Sequence, residues 1–111
     1  MSGDYILKRS GDRYMFNLRA GNYQVILVSQ RYATKAGAQN GIESVRKNAE
    51  IDGRYKRLKA KDGSDYFNLT AGNGEIVGTS EMYESVAAMN KGIESVKANG
   101  PTAIVKDQTL D

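Results

Sequence analysis

A chain of 111 residues, 40% apolar and 26% charged, is long enough to bury one core and contains no apolar run long enough to span a membrane. It has no histidine and no cysteine, which removes the commonest general base, the usual transition-metal ligands, disulfides and thiolate nucleophiles, and so closes most hydrolytic mechanisms. The net charge of +3 is spread along the chain, where it serves solubility before it marks a nucleic-acid partner.

The N-terminal Met1-Ser2-Gly3-Asp4 lacks the basic and apolar segments of a secretion signal, so a bacterial-type cytoplasmic location is expected. Tyr5-Ile6-Leu7-Lys8 opens a short strand, and Ser10-Gly11-Asp12 reads as a turn. In the next strand Tyr14, Phe16 and Leu18 alternate with Met15, Asn17 and Arg19, which sends one row to a core and the other toward solvent. Ala20-Gly21-Asn22-Tyr23 is a hairpin corner, matched later in the chain by Ala71-Gly72-Asn73-Gly74, whose Gly and Asn suit left-handed dihedrals, and Gln24 to Ser29 is β-branched and apolar enough for a central strand.

Thr34 then caps a helix whose apolar residues Ala38, Ile42 and Val45 form one stripe. The helix ends at Asn48, and Ala49, like Gly100 at the end of a second helix, is compatible with a left-handed cap. Ile51-Asp52-Gly53 is a junction, and the whole pattern then begins again. Of the 33 positions from Phe16 to Asn48, 15 are identical 51 positions later, from Phe67 to Asn99. A strand over Arg54 to Ala60, with Leu58 and Ala60 expected to face inward, precedes Tyr66 to Leu69. The corner is now Ala71-Gly72-Asn73-Gly74, the cap Ser85, the stripe Met89, Ile93 and Val96, and the helix end Asn99-Gly100-Pro101. Gly41 and Gly92 sit inside the two helices at equivalent places, each costing about 1 kcal/mol relative to alanine, and close approach of helix to sheet is the expected cause. Thr102 to Lys106 reads as a last strand and Asp107 to Asp111 as a frayed tail.

Each copy, a little over 50 residues, is too small to bury its own apolar surface, so the two are expected to share one core in a single domain over 1–111, with repeats at about 4–52 and 53–107. The expected class is α+β: three-strand meander, then helix, in tandem, with both helices lying on the sheet.

Phe16-Asn17-Leu18, Ala20-Gly21-Asn22, Gly41-Ile42-Glu43-Ser44-Val45 and their second-copy partners, with the closing Val105-Lys106-Asp107, make the whole chain similar to the YegP-like family of small bacterial proteins. The resemblance implies a fold of meander, helix and strand units sharing one mainly antiparallel sheet, with two helices on one face and the strand after each helix exchanged between units. It implies that single-repeat relatives reach the same assembly as dimers. It brings no activity, cofactor or catalytic residue.

Chemistry is sparse. Asp4, Asp12, Asp52, Asp62, Asp65, Asp107 and Asp111 are expected in turns or chain ends, and Glu43 and Glu94 form an acid pair only if the helices bring them together. Gly72, Gly74 and Gly78 precede a strand rather than the helix that a phosphate loop opens. No catalytic residue, cofactor or metal is therefore expected. The densest basic feature is Arg54, Lys56, Arg57, Lys59 and Lys61, with Tyr66 nearby. It reads as the solvated face of a strand whose lysines discourage edge pairing, or as a groove for single-stranded nucleic acid. Polar residues kept in both copies, Asn17 with Asn68, Ser29 with Ser80, Tyr32 with Tyr83 and Ser44 with Ser95, mark either twin binding sites or backbone support. A non-catalytic, monomeric binding protein for a protein or peptide is the expected function, with Arg54, Lys56, Arg57, Lys59, Tyr66, Asn17 and Asn68 as candidate surface; single-stranded nucleic acid is the alternative partner, and a membrane is not expected.

Overall fold

Alternating strands and capped apolar stripes produce the elements in duplicate. The structure, a computed structural model, describes residues 3–110; Met1, Ser2 and Asp111, which belong to the sequence-read N-terminus and tail, lie outside the described residues. The first copy supplies β1 (Asp4–Ser10), β2 (Arg13–Arg19), β3 (Val25–Val28) and α1 (Lys35–Asn48). A single 3₁₀ turn, Asp52–Arg54, leads into β4 (Tyr55–Lys59), β5 (Asp65–Thr70), β6 (Ile76–Thr79), α2 (Val86–Asn99) and β7 (Ile104–Asp107).

The strands form one sheet in the order β4-β5-β6-β3-β2-β1-β7, antiparallel throughout except for the parallel pair β1 and β7. The chain leaving α1 crosses to lie beside β5 as β4, and the chain leaving α2 crosses back beside β1 as β7. Each helix thus hands its following strand to the other copy. Both helices cover the same face, where Phe16, Leu18, Leu27, Phe67 and Leu69 meet the stripes Ala38, Ile42, Val45 and Met89, Ile93, Val96, all buried.

The copies meet at a twofold axis. Val28 of β3 pairs with Thr79 of β6, its own counterpart 51 positions on, and a residue can face its own duplicate only on such an axis. At an axis of an identical pair, both residues must be the same and must fit each other; a tandem chain is free of that rule. On the core side a Cβ added to Gly78 would lie 2.6 Å from Cγ of Leu27, its counterpart. Leucine fills the space that glycine leaves. Where the helix ends converge, a Cβ on Gly100 would lie 2.8 Å from Cβ of Ala49, again its counterpart. Close packing tolerates one large and one small residue here and rejects two large ones.

Tyr5 and Tyr55 tie the copies together. Tyr5 pairs with Leu18 in the ladder as Tyr55 does with Leu69, so the two tyrosines are equivalent. The Tyr55 hydroxyl donates to the Ala49 carbonyl at the end of α1 at 2.6 Å, and the Tyr5 hydroxyl donates to the Gly100 carbonyl at the end of α2 at 2.5 Å. Those carbonyls would otherwise be orphaned at a buried helix end. Burial pushes both phenols well above their ordinary range. Above the rings, Arg46 of α1 lies 5.1 Å from the Tyr5 centroid and Lys97 of α2 lies 5.8 Å from that of Tyr55. Thus β1 closes onto α2 as β4 follows from α1.

Several sequence-based expectations change. Ala49 and Gly100 are right-handed rather than left-handed, because the tyrosine hydroxyls serve the last carbonyls. Gly41 and Gly92 are needed for the rings of Tyr32 and Tyr83, whose hydroxyl ends occupy the space of a Cβ; these rings stack on Phe16 and Phe67 between helix and sheet. At the second hairpin corner a glycine, Gly74 (φ 87°), is left-handed as expected, but Asn73 is not, and at the first corner the left-handed residue is Tyr23 (φ 68°); Asn22 and Asn73 instead accept from the N–H two residues on. The chain end is docked as far as Thr109: Lys35 pairs with Asp107, the Gln108 N–H donates to the Leu7 carbonyl and Thr109 is buried.

The axis predicts a size exchange. Leu27→Gly and Gly78→Leu should each destabilise by about 3 kcal/mol or more, one by a cavity and the other by overpacking, whereas the double variant should recover at least about 1 kcal/mol of the summed loss. Urea unfolding of the four proteins measures this; strictly additive losses would contradict the packing described.

Candidate functional site

The basic run does not form one surface. In β4, Tyr55 faces the core, so alternation sends Arg57 and Lys59 to the helix face and Lys56 and Leu58 to the uncovered face. Leu58 is 38% exposed beside Tyr66, and Ala60 is only half-buried beyond the strand, which overturns the inward placement expected for them. Arg57 donates to Asn90 of α2 at 3.2 Å and lies 3.5 Å from Asp52; Lys59 lies 3.0 Å from Asp65. Arg54 turns to the end of α1, where its Nε donates to Asn48 Oδ1 at 3.0 Å. Lys61 is exposed in the β4–β5 turn.

Lys56, Tyr66, Asn68 and Asn17 do share the uncovered face. Lys56 pairs with Asn68 and Leu58 with Tyr66, while Asn17 lies two strands beyond β6, on β2. Ile6, buried yet absent from the helix-side core, lies against Asn17 on this face, which also carries Met15, Val28 and, three strands from Ile6, Ile76 (40% exposed). At one end Asp4 accepts from Arg19 at 2.7 Å and pairs with Lys106 at 3.0 Å, which bridges β2, β1 and β7. The Arg19 hydrogen bonds outweigh burial and, with Lys106, hold the Asp4 carboxyl down at about 2. Asp4, Asp65 and Asp107 therefore belong to strands rather than to the turns or chain ends expected of them, and each holds a cation.

Most duplicated polar residues support backbone. Ser29 Oγ accepts from the Phe16 N–H at 2.8 Å and donates to the Gln30 carbonyl; Ser80 does the same for Phe67 and Glu81. Asn48 and Asn99 donate to the carbonyls and hydroxyls of Ser44 and Ser95. Glu43 and Glu94 are exposed, each on a cation of its own helix, Arg46 and Lys97, and form no acid pair. Among the described residues, no group of three or more His, Cys, Asp or Glu is placed to hold a metal ion.

Two clefts follow the twofold, each between the helix of one copy and the Ala-Gly-Asn corner of the other. The larger, about 600 Å³, lies between Asn40, Ser44, Lys47 and Arg54 on one side and Gly72 and Asn73 on the other. Its counterpart, about 190 Å³, lies between Lys91 and Ser95 of α2 and Ala20 and Asn22. Another hollow, about 240 Å³, sits beyond the edge of β4 between Arg57, Lys59, Val86 and Met89. No periodicity in the sequence marks the clefts, since the larger joins residues about 30 positions apart and its counterpart residues about 70 positions apart; the β4 hollow has one trace, Val86 at the place held by Lys35 in the first copy.

Asn17 and Asn68 differ. Asn68 Oδ1 accepts from the Thr79 hydroxyl at 2.8 Å, whereas Asn17 Oδ1 is buried without a partner among the described residues, because Val28 stands at the equivalent place. Thr79→Val should cost about 1 kcal/mol, and Val28→Thr should gain up to about that amount by giving Asn17 its donor. Thermal unfolding tests both signs; shifts in the same direction would show that the amide partner is not what distinguishes the copies.

Comparison with known proteins agrees with this geometry. The profile of the family described as "Domain of unknown function (DUF1508)" matches twice, at residues 10–55 and 60–107. An UPF0339 protein of Bordetella pertussis is 61% identical, over 98% of each chain, and the UPF0339 protein YegP of Escherichia coli K12 is 44% identical, over 98% of this chain and 100% of its own. The solution NMR structure of YegP from Escherichia coli, titled a protein of unknown function, superposes with a TM-score of 0.94 at 44% identity, covering 100% of this chain and 97% of the other. That of an UPF0339 protein from Shewanella oneidensis gives 0.93 at 51% identity, covering 100% and 95%. These names carry no catalytic class. With two copies of the domain side by side in one sheet, the chain belongs to the DUF1508 family, in its tandem UPF0339 form.

Proposed function

We propose that this protein is a small, non-catalytic interaction protein of the bacterial cytoplasm, in which both repeats act as one domain and bind a protein or peptide through the sheet. The observation that carries this reading is the one-sided coverage of the sheet. Both helices lie on one face, and the other exposes Leu58 and Ile76 among Met15, Val28, Tyr66 and the amides of Asn17 and Asn68. Apolar side chains gathered with hydrogen-bonding amides suit a polypeptide surface. The four groups whose ionisation is displaced furthest support the same reading, because each is occupied: Asp4 by Arg19 and Lys106, Asp107 by Lys35 and Thr109, Tyr5 and Tyr55 by helix-end carbonyls. Neither helix, among the described residues, is long and apolar enough to cross a membrane.

Single-stranded nucleic acid is the second reading. Lys56 and Tyr66 favour it, sharing one exposed side of β4 and β5. Carboxylates near Arg57 and Lys59 count against it.

A photo-crosslinking residue at Leu58, compared with one at Glu94, which is exposed on α2, tests the first reading. A partner identified from the Leu58 position alone is the expected result; equal yields from both, or none, would overturn it. Titration of labelled single-stranded DNA and RNA at two salt concentrations tests the second, which requires affinity that falls steeply with salt and drops on Lys56→Glu.

A further inference from the structure

The twofold relates the two ends of the sheet, yet among the described residues only one end is occupied. The outer edge of β1 is covered by β7, running parallel in the register Asp4 with Ile104, Tyr5 with Val105, Ile6 with Lys106 and Leu7 with Asp107. The ladder makes β4 the equivalent of β1, and β4 is the edge strand at the far side of the sheet. Its free edge therefore has the geometry that accepts a parallel strand beside β1. In the first copy Lys35 pairs with Asp107 at the end of β7, and buried Thr109 is hydrogen-bonded to that aspartate; the counterpart of Lys35 is Val86, 53% exposed, which with Met89 lines the hollow of about 240 Å³ beside β4. An edge strand and an adjoining apolar hollow thus stand open together, where β7 and its tail close the corresponding region of the first copy.

The side chains say which strand fits. Ile6 and Leu7, which lie beside Lys106 and Asp107, are replaced at β4 by Lys56 and Arg57. A second copy donating its own β7 would set Lys106 against Lys56, a like-charge pair that disfavours this register. An acidic residue at that position, and the acid retained at the next, would meet Lys56 on the uncovered face and Arg57 on the helix face. The Arg57 pair with Asp52 is long at 3.5 Å and both side chains are well exposed, so it yields readily to a competing carboxylate.

We infer that the free edge of β4 is a receptor for an extended acidic segment of a partner protein, bound parallel to β4 with two consecutive acids beside Lys56 and Arg57 and an apolar side chain two positions later in the Val86–Met89 hollow. This names the partner's chemistry within the protein-binding reading and rests on it. Backbone hydrogen bonds to the strand edge supply attachment, and the alternating side chains supply selectivity.

The probe is the hexapeptide Ile-Val-Glu-Asp-Gln-Leu, blocked at both ends, which is this chain's own Ile104 to Thr109 with the lysine made acidic and the last residue apolar. Titrated into the intact labelled protein, it should move the backbone amide signals of Tyr55 to Lys59 and the methyl signals of Val86 and Met89. The Ile-Val-Lys-Asp-Gln-Thr peptide should bind at least about fivefold more weakly, and Lys56→Glu should reverse that preference. N-methylation of the peptide backbone on the side facing β4 should abolish binding. The amide spectrum of Lys56→Glu reports at the same time that the variant is folded. No movement in β4 at millimolar acidic peptide, equal affinity for the lysine peptide, or movement confined to the uncovered sheet face would overturn the inference. If that happens while the Leu58 cross-link still yields its partner, this inference falls alone; if both fail, the protein-binding reading falls with it.

Discussion

Leu27 against Gly78 is the contact on which the rest of the molecule depends. Two small units become one sheet only if β3 and β6 come together, and they pair at a single position, Val28 with Thr79. Backbone pairing that short cannot hold two halves in register. Side-chain packing across the axis does so: the leucine of one copy occupies the volume its counterpart has given up, and the helices cross onto the opposite copy above it. A symmetric dimer of one repeat would need the same residue at both places. Covalent tandem linkage removes that requirement, and the three axis pairs, Leu27 with Gly78, Val28 with Thr79 and Ala49 with Gly100, are all unlike.

Away from the axis, the halves are joined by ties that use the same chemistry twice. Tyr5 and Tyr55 serve the carbonyls of the opposite and preceding helix ends, and Asn99 and Asn48 accept from Gly3 and Arg54 at the start of the same strands. Because β1 meets the end of α2 as β4 meets the end of α1, the architecture is effectively circular, cut open before β1. The extra strand β7 is the consequence. The place beside β2 is already taken by β1, so the last strand goes outside it and runs parallel, leaving the opposite edge at β4 without a counterpart.

The surfaces follow from this arrangement. Helices on one side leave a whole sheet face uncovered, and unequal ends leave one edge bare. Local ion pairs divide the cations that look continuous in sequence, with Arg57 and Lys59 drawn toward Asp52 and Asp65 and Lys56 left on the other face. A binding role for sheet face and edge therefore draws on shape as much as on charge.

The sequence by itself determined the duplication, the helices with their Thr34 and Ser85 caps and end residues, most strand positions, and the burial of Phe16, Leu18, Ile42 and their repeats, because each is written in local periodicity or end chemistry. Tertiary structure alone decided the face of Leu58, the reason for Gly41 and Gly92, the right-handed helix ends and the division of the basic run. A strand as short as β4, polar on both sides, carries no alternation to fix its phase, so only Tyr55 reaching for the end of α1 sets it. Contacts at the axis and clefts between copies join residues far apart in the chain, and no local pattern records which of two equivalent edges a single last strand will fill.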